Sequence, residues 1–232
     1  MFRHILGGGD IQSYLISILL SLPIVLLALS LHEAAHGFAA WRLGDPTARN
    51  FGRITLNPLK HLNPIGTVCM IVAGFGWANP VPVNSRYFKK PRRDIALTSL
   101  AGPLSNLLLA FVFLLLLRFV AFGWLWQLPF RTQMQFNLIY FFTLILYYGV
   151  SMNITLAVFN LLPVPPLDGS RILFALLPPR LYFKIAPYER YIVLAVMLLL
   201  LLGPLSAFIN WVCTWILRGM FSLVGMRGFL GI

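Results

Sequence analysis

Four long stretches of this chain are apolar and uncharged: 11–31, running on through a short polar cluster to about Trp41, then 95–117, 132–167 and 191–217. A helix needs about 20 such residues to cross a hydrocarbon layer ~30 Å thick. None of the four alternates with period two, and none shows a polar stripe at helical spacing, so each reads as a helix surrounded by lipid and protein. The third stretch, 36 residues long, exceeds one crossing and carries an extra non-helical piece at its end. The pattern predicts helices over 11–41, 94–118, 136–162 and 191–217, with a loop from the third helix to residue 170. The fold class is an all-α polytopic membrane protein with about four transmembrane helices.

Residues 61–85 break the pattern. They carry no Lys, Arg, Asp or Glu, yet they contain Asn63-Pro64, Gly66, Gly74, Gly76, Asn79-Pro80 and Pro82. Turn residues at that density oppose a clean spanning helix, so the segment is expected to be re-entrant or interfacial. Its tract Gly76-Trp77-Ala78-Asn79-Pro80-Val81-Pro82-Val83-Asn84 reads as extended, hairpin-like chain whose open edge can receive a substrate strand; the alternative is a plain interfacial loop anchored by Trp77.

Composition agrees with a membrane protein: 59% of the residues are hydrophobic, and the mean hydropathy is +0.83. All 232 residues read as one membrane-embedded domain, with no stretch resembling an appended soluble domain. Cys69 and Cys213 are the only cysteines, which excludes a disulfide framework and a cysteine-based metal site. The net charge of +12 raises the question of nucleic acid, but its distribution answers it. Connections 42–93 and 168–190 hold 13 of the 18 Lys and Arg, against five elsewhere. The positive-inside bias therefore places both connections in the cytoplasm and both termini outside. A run such as Lys89-Lys90-Pro91-Arg92-Arg93 is an anchor to anionic lipid, and no nucleic-acid partner is expected. A cleavable signal peptide ending near Ser30 would cut away the helix that carries the chemistry, so that segment is expected to be retained.

The chemistry lies at the inner end of the first helix, in His32-Glu33-Ala34-Ala35-His36. Two histidines four residues apart share one helical face and can grip one metal, with the intervening glutamate as general base. The chain has only 4 histidines and 6 acidic residues, with Glu33 and Glu189 its only glutamates, so the motif is no by-product of composition. A catalytic zinc takes three protein ligands. Asp10, Asp45 and Asp94 sit at helix ends where solvent can carry their charge. Asp168 follows 36 uncharged residues and the helix-breaking Pro163, Pro165 and Pro166, which can turn its carboxylate back toward the bundle. It is the candidate third ligand, with capping of the following helix as its structural alternative and His61 next in line. Asn160, at the end of the third helix, either hydrogen-bonds a reacting carbonyl or satisfies backbone freed by the prolines. Asn153 and Asn106 lean toward structural hydrogen bonds, and Gly102 and Ser105 allow close helix contact.

Together these stretches resemble the site-2 protease family of intramembrane zinc metalloproteases, in its minimal bacterial-type form without a PDZ or CBS domain. The likeness rests on His32-Glu33-x-x-His36 in a membrane helix, Gly76 to Asn84, Ala101-Gly102-Pro103-Leu104-Ser105-Asn106, and Asn160 to Gly169, and it covers roughly residues 20–175. Pro166 adds a proline to the simplest pattern without altering the spacing from Asn160 to Asp168. The resemblance implies a three-helix catalytic core, one Zn2+ on His32, His36 and Asp168, Glu33 as base and Asn160 at the reacting carbonyl. It further implies membrane-anchored protein substrates, a bilayer setting (the bacterial inner membrane) and an active site nearer the cytoplasm. The competing reading is a zinc carrier without protease activity. A carrier would string ionisable residues along a path through several helices, whereas here they gather at one depth.

Overall fold

The computed structural model describes residues 11–73, 79–122 and 132–226; Gly76, Trp77 and Ala78 of the expected hairpin and Asp10 lie outside them. The chain is an all-α polytopic membrane protein, and no strand occurs among the described residues. Its helices are α1 (Ile11–Arg42), α2 (Thr47–Asn50), α3 (Pro64–Ala73), α4 (Pro91–Phe122), α5 (Gln133–Asn160), α6 (Asp168–Leu176), α7 (Pro179–Ile185), α8 (Glu189–Leu202) and α9 (Pro204–Leu223). Three of these, α1, α4 and α5, are long and apolar enough to cross a membrane.

The fourth apolar stretch does not run straight. It breaks at Gly203, and the segments Ala186–Leu202 and Pro204–Leu223 meet at 76°. Gly203 has φ +100°, a left-handed conformation open to glycine, and Pro204 then starts the next helix at a position where its missing N–H costs nothing. A hydropathy profile averages over this dipeptide, so sequence alone read one span.

Helix α4 is the centre of the bundle and packs against α1, α5 and α6. Between helices in lipid the hydrophobic effect offers little drive, so close packing must supply the association. At Gly149 of α5 the Phe113 ring lies where a side chain would be, with ring atoms 2.7–2.9 Å from an ideal Cβ. Below that contact Leu114, Leu117, Val150 and Ile154 form a fully buried seam, which Ile209 and Phe221 of α9 cover.

The joints are closed by local hydrogen bonds. Thr132 caps α5 by accepting from Gln135 N–H. After α5 the prolines leave few donors, and those that remain turn inward: Val164 N–H bonds Leu162 carbonyl at 2.8 Å and Leu167 N–H bonds Val164 carbonyl at 2.9 Å. These bonds pair much of the irregular backbone within the tract itself. At Gly169 an added Cβ would lie 2.5 Å from the Leu161 carbonyl carbon, so only glycine lets α6 fold back onto the end of α5.

Two aspartates differ from the expectation that solvent carries their charge. Asp45 is fully buried: its Oδ1 accepts from Thr47 N–H and Oγ1–H, and its Oδ2 accepts from Asn84 N–H at 2.6 Å. Asp94 is also buried, accepting from Lys90 N–H at 2.9 Å and pairing with Arg93 at 2.8 Å. Burial follows because charge-assisted hydrogen bonds replace water. Asp45 thereby ties the end of α1 to the loop before α4.

Candidate active site

The HEAAH segment lies in α1 with ordinary helical geometry, so His32 and His36 project side by side toward α4. Nε2 of the two rings are 3.0 Å apart. Asp168, the first residue of α6, reaches both: its Oδ2 is 3.1 Å from His32 Nε2 and 3.1 Å from His36 Nε2. All three side chains are buried. Leu167, at the cap position of α6, makes no side-chain cap, and the Asp168 carboxylate is turned to the histidines instead.

These atoms form the one cluster of three metal-ligating groups among the described residues. Tetrahedral zinc with bonds of 2.0–2.1 Å places its donors about 3.3 Å apart. The observed spacings of 3.0–3.1 Å come within a few tenths of an ångström of that, and two imidazoles with one carboxylate are a donor set zinc accepts. The donor set fits the metal.

Helix α4 forms the wall behind this cluster. A Cβ on Gly102 would lie 2.6 Å from both Cε1 and Nε2 of His32, and closer still to His36 Nε2. Four residues to one side, Thr98 carbonyl accepts from His36 Nδ1 at 2.7 Å. Four residues to the other side, the Asn106 carboxamide lies 3.2 Å from His32 Nδ1. The sequence marked Gly102 only as a packing residue and Asn106 only as a polar group in need of a partner. Their shared spacing with Thr98, i, i+4 and i+8 on one face, is the signal that was available.

Glu33 is half-buried, and its Oε2 accepts from Val81 N–H at 2.8 Å. That places the loop before α4 against the motif. Arg53 holds the same loop by donating to Asn79 carbonyl at 2.6 Å. In the described part of this loop, Pro80 and Pro82 have no N–H and Val81 spends its own on Glu33, so residues 80–82 offer a partner strand acceptors but no donors. Asn160 ends α5 with its Nδ2 donating to Leu156 carbonyl at 2.9 Å. Asn153 is buried and donates to Gly149 carbonyl. His61 is buried apart from the cluster, hydrogen-bonded at 2.9 Å to Thr55 carbonyl.

A buried set of two histidines and an aspartate, with a glutamate between the histidines, occurs in metallopeptidases and in other metal proteins, and comparison with known sequences decides between them. The profile of Peptidase family M50 matches residues 20–204. The chain belongs to this family, the site-2 proteases. This M50 member is 45% identical over 200 residues to the Bacillus subtilis protein named "Putative zinc metalloprotease YwhC", covering 85% of this chain and 87% of that one. It is 33% identical over 210 residues to the Mycolicibacterium smegmatis protein named "Putative zinc metalloprotease Rip2", covering 88% and 74% of the two chains. The Mycobacterium tuberculosis protein of the same name is 31% identical over 211 residues, with 87% and 72% covered. No solved structure matches. The M50 chain is a zinc metallopeptidase embedded in the membrane. Its matched region runs from residue 20, within α1, to Pro204 and so includes His32, Glu33, His36, Gly102, Asn106 and Asp168.

Proposed function

We propose that this zinc metallopeptidase cuts peptide bonds within or beside transmembrane segments of membrane-anchored proteins, with zinc held by His32, His36 and Asp168. The observation that carries the reading is the placement of the cluster. Both histidines lie inside a helix long and apolar enough to span a membrane, and the carboxylate meets them from a helix packed on α4.

Bound zinc supplies Lewis acidity and lowers the pKa of water toward neutrality. Glu33 takes the proton of the attacking water and later delivers it to the leaving amine. Val81 N–H fixes one oxygen of that carboxylate, leaving the other for the proton. The Nδ1 edges of both histidines meet α4, at Thr98 and Asn106, which keeps their Nε2 atoms converged on Asp168 Oδ2. Asn160 stabilises the reacting carbonyl once its amide leaves Leu156. A substrate helix hides its amides in internal hydrogen bonds, so it must unwind locally before Glu33 can act on it. The basic connections 42–93 and 168–190 face the cytoplasm, both termini lie outside, and the site opens nearer the cytoplasmic side of the bacterial cell membrane.

The test uses wild type and Glu33→Gln, purified and reconstituted in proteoliposomes with a membrane-anchored reporter. Both should hold about one zinc per chain, the stoichiometry of a single three-ligand site. Glu33→Gln should lose about 10²–10⁴-fold in turnover, the usual worth of a positioned base. Mass spectrometry should place the wild-type cut in or next to the reporter's transmembrane segment. Cleavage confined to soluble regions overturns the substrate class, and zinc-free folded wild type overturns the site.

A further inference from the structure

Thr98, Gly102 and Asn106 recur every four residues on the face of α4 that touches the two imidazoles. Gly102 leaves the room, and its neighbours on either side each meet the Nδ1 edge of one ring. For His36 the arrangement is unambiguous: a backbone carbonyl can only accept, so Nδ1 carries the proton and Nε2 presents its lone pair toward Asp168 and His32.

His32 faces a carboxamide instead of a carbonyl, and a carboxamide has two orientations of nearly equal shape. If its NH2 faces Nδ1, that nitrogen must accept, the ring proton sits on Nε2, and His32 has no lone pair for a metal. If its oxygen faces Nδ1, the ring proton sits on Nδ1 and Nε2 is free to bind. As placed, Nδ2 is the carboxamide atom 3.2 Å from His32 Nδ1, while Oδ1 is buried with no hydrogen-bond partner; turning the amide brings Oδ1 to Nδ1 and exchanges one hydrogen bond for another. Asn106 is 1% exposed in an otherwise apolar helix, a costly place for an amide that only fills space.

We propose that Asn106 is a positioning residue for zinc: its carboxamide oxygen accepts from His32 Nδ1–H and so commits Nε2 of His32 to the metal. The inference deepens the ligand assignment above and rests on His32 being a ligand. One helix then orients both imidazoles, one through main chain and one through a side chain that mutation can reach.

The experiment measures zinc affinity of metal-free protein in detergent by competition with a chelator, for wild type, Asn106→Leu, Asn106→Asp and His32→Ala. Asn106→Leu keeps the branched shape and heavy-atom count and removes the acceptor; it should bind zinc about 10–100-fold more weakly, the usual cost of losing such an outer partner. Asn106→Asp keeps an acceptor and has no donor; it should bind as tightly as wild type or more so. Imidazole 15N shifts of the zinc form should show His32 protonated at Nδ1. Asn106→Leu binding like wild type overturns the proposal, as does a His32 protonated at Nε2. If Asn106→Leu fails to fold, Asn106→Asp decides alone: tight binding upholds the acceptor role, and binding tenfold weaker or worse overturns it. His32→Ala separates the two levels. Zinc lost there but kept in Asn106→Leu sinks only the role of Asn106, whereas zinc retained in His32→Ala removes the ligand assignment and this inference with it.

Discussion

A single methyl group at residue 102 should disable the enzyme while leaving its fold intact. In Gly102→Ala the new Cβ would lie 2.6 Å from His32 Cε1 and Nε2, where ordinary contact begins at about 3.4 Å, and nearer still to His36 Nε2. Something must therefore move by about 0.8 Å or more. The carbon is fixed to helix backbone, so the shift falls on the two rings or on α1 as a body. Either movement pulls Nε2 of both histidines away from Asp168 Oδ2, and zinc bonds tolerate only about 0.2 Å of error. Overpacking of this kind costs roughly 1–3 kcal/mol, while replacing glycine by alanine in a helix returns about 1 kcal/mol. The thermal midpoint of the metal-free protein should thus change little. Loss of zinc and a misplacement of this size together should lower kcat/KM at least about 100-fold. The assays are zinc content after dialysis, melting in detergent, and cleavage of a membrane-anchored reporter, with Ser105→Ala on the same helix as control. Gly102→Ala that keeps full zinc and turns over within about threefold of wild type would refute the reasoning, because α4 would then not form the wall of the site.

Asp168→Ala should release zinc and abolish activity together, since no other acidic group among the described residues joins the two histidines; elemental analysis checks this, and firm zinc retention would move the third ligand elsewhere. Asp45→Ala should leave zinc content at wild-type level yet destabilise the protein by about 1.5–3 kcal/mol, because it strips a buried charged acceptor from Thr47 and Asn84; melting in detergent reads it. Single cysteines at the Lys89 and Lys184 positions should resist a membrane-impermeant reagent in intact cells, and one at Arg131 should react. Labelling of only one of the first two would separate the connections by a membrane and prevent His36 and Asp168 from meeting.

The apolar lengths, the charge bias and the HEAAH spacing are properties of consecutive residues, and they were legible without coordinates. Helix periodicity alone puts His32 and His36 on one face, and a carboxylate behind 36 uncharged residues and three prolines advertises its unusual position. What the line of residues could not disclose was which distant groups meet. Asp45 looked like a solvated helix end and proved to be a buried tie, because its partner Asn84 is 39 positions away. Gly102 looked like general small-residue packing, and its importance appears only when α1 and α4 come close enough for one methyl to strike both imidazoles. Val81 carries no chemistry in its side chain, yet its main-chain N–H holds Glu33, a role that no residue type encodes. The break within the fourth stretch is invisible to hydropathy, which counts apolar residues and is blind to the φ of Gly203. Periodicity is local and survives in one dimension, whereas the supports of a metal site are contacts between helices, and only the packed bundle decides them.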